Sequence, residues 1–147
     1  MSKKTIWITG GSTGIGKALA IKFASKGWNV AISARRAELL NELSNSYENI
    51  SSFPLDVTDR EKCKEVFNEI KNKYENIDIC FFSTGTWDPK KEKDIDVEQM
   101  EDVFKVNFFG TVNSIKAVEQ YFRDKKNGII TIVSSIAGYR GLSLIHI

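Results

Sequence analysis

Five short runs rich in β-branched and aromatic residues recur along the chain, at 4–9 (KTIWIT), 29–33 (NVAIS), 50–55 (ISSFPL), 77–82 (IDICFF) and 128–134 (GIITIVS). Each gap between them is long enough for a helix, and this alternation constrains the fold more than any other feature. Strands so separated are joined by helical crossovers rather than hairpins, which leaves them parallel with helices on both faces. The pattern predicts an α/β fold: a doubly wound five-stranded parallel sheet of Rossmann type, in the order 3-2-1-4-5.

The intervening segments carry the helical period. Cys63, Val66, Phe67, Ile70 and Tyr74 form one apolar stripe, and Thr58 with Glu61 reads as a capping box at its start. Ile15, Leu19 and Phe23 stripe the first helix, and Leu39, Leu40 and Leu43 the second. Asp96 opens a longer helix whose stripe is Met100, Val103, Phe104, Phe108, Thr111, Ile115, Val118 and Phe122.

At 147 residues the chain fits one domain, and a net charge of +2 argues against nucleic acid or an anionic membrane as partner. The lysine-rich run 89–93 contains an acid and reads as a solvated loop. No stretch approaches the roughly 20 apolar residues of a membrane span, and the opening MSKKTIWITGG reaches glycine too soon for a signal peptide. Cys63 falls on a helix stripe and Cys80 in a strand, so both read as reduced core thiols, and the cytoplasm is expected.

The sharpest local signal is TGGSTGIG, from Thr9 to Gly16, directly after the first strand and opening the first helix. Gly10 allows a tight turn, Gly14 lets backbone approach a diphosphate, and Gly16 lets the helix pack closely. Ser12, Thr13 and Ile15 complete a loop whose N–H groups and helix dipole favour phosphate. No Gly-Lys-Ser/Thr follows, so this is not a Walker loop.

The second strand leads into Arg35 and Arg36, where a dinucleotide fold often has an acid for the ribose hydroxyls. A guanidinium there can grip the 2′-phosphate of NADP, with Arg35 ahead of Arg36; a solvated pair beginning a helix is the alternative. Asp56 and Val57 follow the third strand, placed to accept from an adenine amino group and to pack on the ring. Ser83 and Gly85 follow the fourth strand, and Ser134 and Ser135 end the fifth. Asn107 interrupts the long helical stripe and, from spacing alone, reads as a structural core asparagine. All five strand ends thus carry a group suited to one ligand, and no metal site is suggested.

Over residues 4–141 the chain resembles the short-chain dehydrogenase/reductase family. TGGSTGIG stands for its cofactor loop, LDVTD for its adenine site, VNFFG for its asparagine segment and IVSSIAG for its serine segment. The resemblance implies an NAD(P)-binding domain spanning 1–141 and hydride transfer between NADP(H), or alternatively NAD(H), and a small carbonyl or secondary alcohol. It implies a proton-relay role for Asn107 and a carbonyl-orienting role for Ser135. It suggests a homo-oligomer, and Arg35 resembles members that prefer NADP(H). A non-catalytic dinucleotide sensor or interaction module is the alternative function. The extended branch of the family fits less well, because its glycines usually follow G-x-x-G-x-x-G.

Two departures stand out. Phe82-Ser83-Thr84-Gly85 replaces the family's Asn-Asn-Ala-Gly, and the tyrosine and lysine of its Y-x-x-x-K pattern would fall just past Ile147. Tyr139 is too close to Ser135 to serve. The ending LSLIHI resembles translated sequencing-adapter DNA, so residues 142–147 are expected to be a non-native tail on a truncated frame, with no role for His146. The chain as given is expected to be inactive.

Overall fold

The computed structural model describes residues 3–87 and 96–136. In chain order it contains β1 (Thr5–Thr9), α1 (Gly14–Ser25), β2 (Asn29–Ser33), α2 (Ala37–Ser46), β3 (Ile50–Ser52), α3 (Arg60–Tyr74) and β4 (Ile79–Phe82). There follow α4 (Val97–Val103), a π-helical segment (Phe104–Phe109), α5 (Gly110–Lys125) and β5 (Ile129–Ile132). Every strand pair is parallel and the order is β3-β2-β1-β4-β5, as the alternation of runs predicts.

The central strand feeds both faces through its period of two. Ile6 and Ile8 join Val30, Ile32 and Ile50 beneath α1 and α2. Trp7 joins Cys80 and Phe82 against Cys63, Val66, Phe67 and Ile70 of α3 and Val118 of α5. Trp7 is fully buried, with its ring stacked on Phe67 and edge-on to Phe82, both at 5.7 Å between centroids. Its indole N–H donates to the Ser33 hydroxyl at 2.9 Å, so the ring is buried without an unsatisfied donor. Both cysteines are free and buried; burial pushes the Cys63 thiol up to about 11 and the Cys80 thiol higher still.

Several expectations are corrected. In α1 the buried face is Gly16, Ala20 and Ala24, while Ile15 is exposed and Leu19 and Phe23 only half-buried, because the helix lies too close to the sheet for large side chains. α3 begins one residue later than the proposed box: Asp59, not Thr58, is the cap, accepting from the Lys62 N–H at 2.9 Å. Thr58 instead gives its N–H and hydroxyl to Asp56 Oδ1 at 2.9 and 2.8 Å. The strand expected over 50–55 ends at Ser52, although the Phe53 and Leu55 N–H groups still donate to Ile32 and Ala34 on either side of Pro54, which has none to give. The fourth strand starts at Ile79 rather than 77, the Ile77 N–H being taken by the Tyr121 hydroxyl at 2.8 Å. The fifth strand, expected over 128–134, is shorter at both ends.

Asp96 caps the long helix as expected, accepting from the Gln99 N–H. The stripe, however, is not buried along its length: α4 and the π-helical segment bury no residue, and Met100, Phe104 and Phe108 are exposed, whereas Val118 of α5 is buried. No helix among the described residues is long and apolar enough to cross a membrane, and no group of three metal-binding side chains occurs among them.

Candidate functional site

The C-terminal ends of β1, β2 and β4, the segment after β3 and the residue after β5 surround a cavity of about 280 Å3. Its wall contains Gly10, Ser12, Thr13, Gly14, Ile15, Gly16, Arg35, Arg36, Asp56, Val57, Ser83 and Gly85, together with Ala34, Leu55, Thr84, Val106 and Val133. Residues singled out from four separate stretches of sequence therefore meet at one place, while Asn107, Ser134 and Ser135 are not part of this wall.

The glycine turn is built by sterics. Gly10 has φ +72°, and a Cβ there would lie 2.8 Å from the Ser83 carbonyl oxygen. A Cβ on Gly16 would run into the Gly10 carbonyl, so the helix start and the turn touch backbone to backbone. Gly14 has φ +54° with open space on its Cβ side. Thr13 precedes α1 without a side-chain cap bond, and the first helical bond is Lys17 N–H to the Thr13 carbonyl. A helix start left in this condition presents amide donors and positive dipole to an anion.

On the β2 side, Arg35 and Arg36 are exposed on the cavity rim, with Arg36 at the N-cap of α2 making no side-chain cap bond. Partial burial works to raise the Asp56 pKa, but the Thr58 N–H and hydroxyl, then Arg35 and Lys105, outweigh it and hold the carboxyl below its usual 3.8. Val57 is buried against Gly110, where a Cβ would lie 2.5 Å from Val57 Cγ2.

On the β4 side, the Ser83 hydroxyl donates to the Thr9 carbonyl at 2.7 Å, tying the ends of β4 and β1 together where the family's amide is missing. The Thr84 hydroxyl oxygen is buried and has no hydrogen-bond partner among the described residues. Asn107 is exposed rather than a core residue, as are Phe104, Phe108 and Phe109 around it, because the π-helical segment buries no residue. Its amide pairs with both polar backbone groups of Thr86: Oδ1 accepts from the Thr86 N–H at 2.7 Å, and Nδ2 donates to the Thr86 carbonyl at 2.9 Å. Ser135 is exposed two residues beyond Val133 of the cavity wall. Gly138, Tyr139, the run 89–93 and the tail 142–147 with His146 lie outside the described residues.

One further contact ties α5 to the segment after β3: the Asn113 amide donates to the Val57 carbonyl at 3.0 Å. No periodicity marks this residue, since it is one half-buried polar position among several on α5.

Residues 4–146 match the family model described as short chain dehydrogenase. The chain belongs to the short-chain dehydrogenase family. Its relatives include an uncharacterized oxidoreductase of Listeria monocytogenes, 34% identical over 95% of this chain and 58% of that protein. Another is mouse (Mus musculus) dehydrogenase/reductase SDR family member 7, 30% identical over 98% of this chain and 45% of that protein. Among solved structures, ElxO with NADP bound is 32% identical with a TM-score of 0.86, covering 95% of this chain and 58% of that one. The short-chain dehydrogenase chain thus spans only about half to three-fifths of the length of these relatives. It is an oxidoreductase-family domain with an NAD(P)-binding fold.

Proposed function

We propose that the complete gene product is an NADP(H)-dependent oxidoreductase acting on a small carbonyl or secondary alcohol. The observation that carries this reading is the pair Arg35 and Arg36 on the rim of the cavity that the glycine turn also lines, with no acid in the position that would repel a 2′-phosphate. The NADP held by ElxO supports the same choice of cofactor.

The residues present fit such a dinucleotide. Gly10, Ser12, Thr13, Gly14, Ile15 and Gly16 would hold the diphosphate against the bare helix start, and Arg35, seconded by Arg36, would take the 2′-phosphate. Asp56 has one carboxylate oxygen engaged by Thr58, which leaves the other to accept from the adenine amino group, while Val57 walls the ring. Ser83 and Gly85 would border the nicotinamide half. When bound, the nicotinamide supplies or accepts the hydride. Ser135 would orient and polarise the substrate oxygen. Asn107 would take part in the proton relay, while its side-chain amide, paired with Thr86, fixes the loop after β4. A homo-oligomer in the cytoplasm completes the reading, in keeping with two free, buried cysteines.

The test is steady-state kinetics of the complete protein with NADPH and NADH against a panel of carbonyl substrates. The wild type is expected to favour NADPH by about tenfold or more in kcat/KM, and Arg35→Glu to lose that preference. Equal use of both cofactors, unchanged in Arg35→Glu, would refute the role of the arginines.

A further inference from the structure

The wall formed by Leu55, Asp56 and Val57 belongs to a loop, not to a strand, yet it must hold one shape if it is to border a ligand. From the sheet side, the Leu55 N–H is bound to the Ala34 carbonyl at 3.0 Å. From the helix side the contacts come from the first turn of α5 and from α3. The Asn113 side-chain amide donates to the Val57 carbonyl at 3.0 Å, and the Cys63 thiol reaches the same oxygen at 3.6 Å. Gly110, one turn earlier, has no Cβ, and one built there would stand 2.5 Å from Val57 Cγ2. Val57 therefore seats directly on the helix backbone, and Asn113 fixes the carbonyl that sets the peptide plane beyond it.

We propose that Asn113 is a positioning residue for the adenosine half of the cofactor, acting through the Val57 carbonyl and touching no ligand itself. Without its amide, the Val57 carbonyl keeps only a thiol donor, which is weak, and the loop gains freedom to turn the Asp56 and Val57 groups away from the ring. The π-helical segment that leads into α5 carries Asn107, whose amide holds Thr86 beside the other end of the cavity, so two consecutive elements brace both walls through asparagines six residues apart. The inference rests on the cofactor reading above but adds a residue which that reading does not need.

The experiment uses the complete protein, with adenosine 2′,5′-bisphosphate as probe of the adenine half and reduced nicotinamide mononucleotide as probe of the other. In Asn113→Ala, affinity for the bisphosphate is expected to fall about fivefold, the loss of one net hydrogen bond, with the mononucleotide affinity kept. The cost should appear in the KM for NADPH rather than in kcat. Gly110→Ala, which keeps the amide but presses a methyl group on Val57, should weaken the bisphosphate in the same selective way even if Asn113→Ala folds poorly. Equal weakening of both probes, or unchanged bisphosphate affinity in both variants, would overturn the inference and leave the cofactor reading standing. A wild type that binds neither probe nor NADPH would instead sink the cofactor reading itself.

Discussion

A methyl group on Gly16 meets the carbonyl of Gly10, whereas one on Gly14 meets nothing and only forces an L-residue to hold φ +54°. The two alanine substitutions therefore separate packing from conformation. Gly14→Ala is expected to cost about 1–2 kcal/mol from the left-handed backbone alone. Gly16→Ala should cost at least as much, about 1–3 kcal/mol, and in addition move α1 away from the turn and weaken dinucleotide binding. Urea denaturation and cofactor titration of both variants check this. Asp56 gives a pH dependence. Its folded pKa lies below 3.8, so the carboxylate contributes stability that is present above that value and is lost as pH falls through the lowered folded pKa. The stability gap between wild type and Asp56→Asn should therefore close below about pH 4 in acid titrations. The cysteines should be inert: with the Cys63 thiol pushed up to about 11 and Cys80 higher, neither should react with a thiol reagent at pH 8 until the chain unfolds. Labelling of the folded protein would contradict that burial.

The element that resists reading is the long helix. Its stripe from Met100 to Phe122 follows the α-helical spacing, but the π-helical segment Phe104–Phe109 shifts the phase midway, and no residue type announces such a turn. Spacing also places Asn107 in the core, whereas it is exposed and bonded to Thr86 in a segment that buries no residue. By contrast α3 is legible throughout its stripe, because an unbroken 3.6-residue period and large side chains agree there. α1 misleads in the opposite way: its inward face is small, and a search for large apolar residues looks past Gly16, Ala20 and Ala24. β5 is the other element with a consequence. Ile129, Ile130 and Ile132 are exposed, and among the described residues β5 pairs with β4 alone. The chain as given should self-associate through this edge, and Ile130→Lys should reduce the association in light scattering.

At the scale of the whole molecule, topology does most of what the sequence needs to convey. A parallel sheet in the order β3-β2-β1-β4-β5 sends every strand's carboxyl end to one edge, so residues as distant as Gly10, Arg35, Asp56 and Ser83 line one cavity. That is why the cavity wall was legible from the ends of four runs; of the fifth, Val133 lines it rather than Ser134 or Ser135. The braces behind it were not, because contacts such as Asn113 to Val57 and Ser83 to Thr9 depend on how one layer seats upon another. The central claim is that this cavity holds a nicotinamide dinucleotide by its diphosphate, with the strand ends gathered around it. Isothermal titration calorimetry of the complete protein with NADPH and NADH tests it most directly. The account predicts one-to-one binding, with NADPH tighter, and much weaker binding in Gly16→Ala; a folded protein giving no heat with either dinucleotide would contradict it.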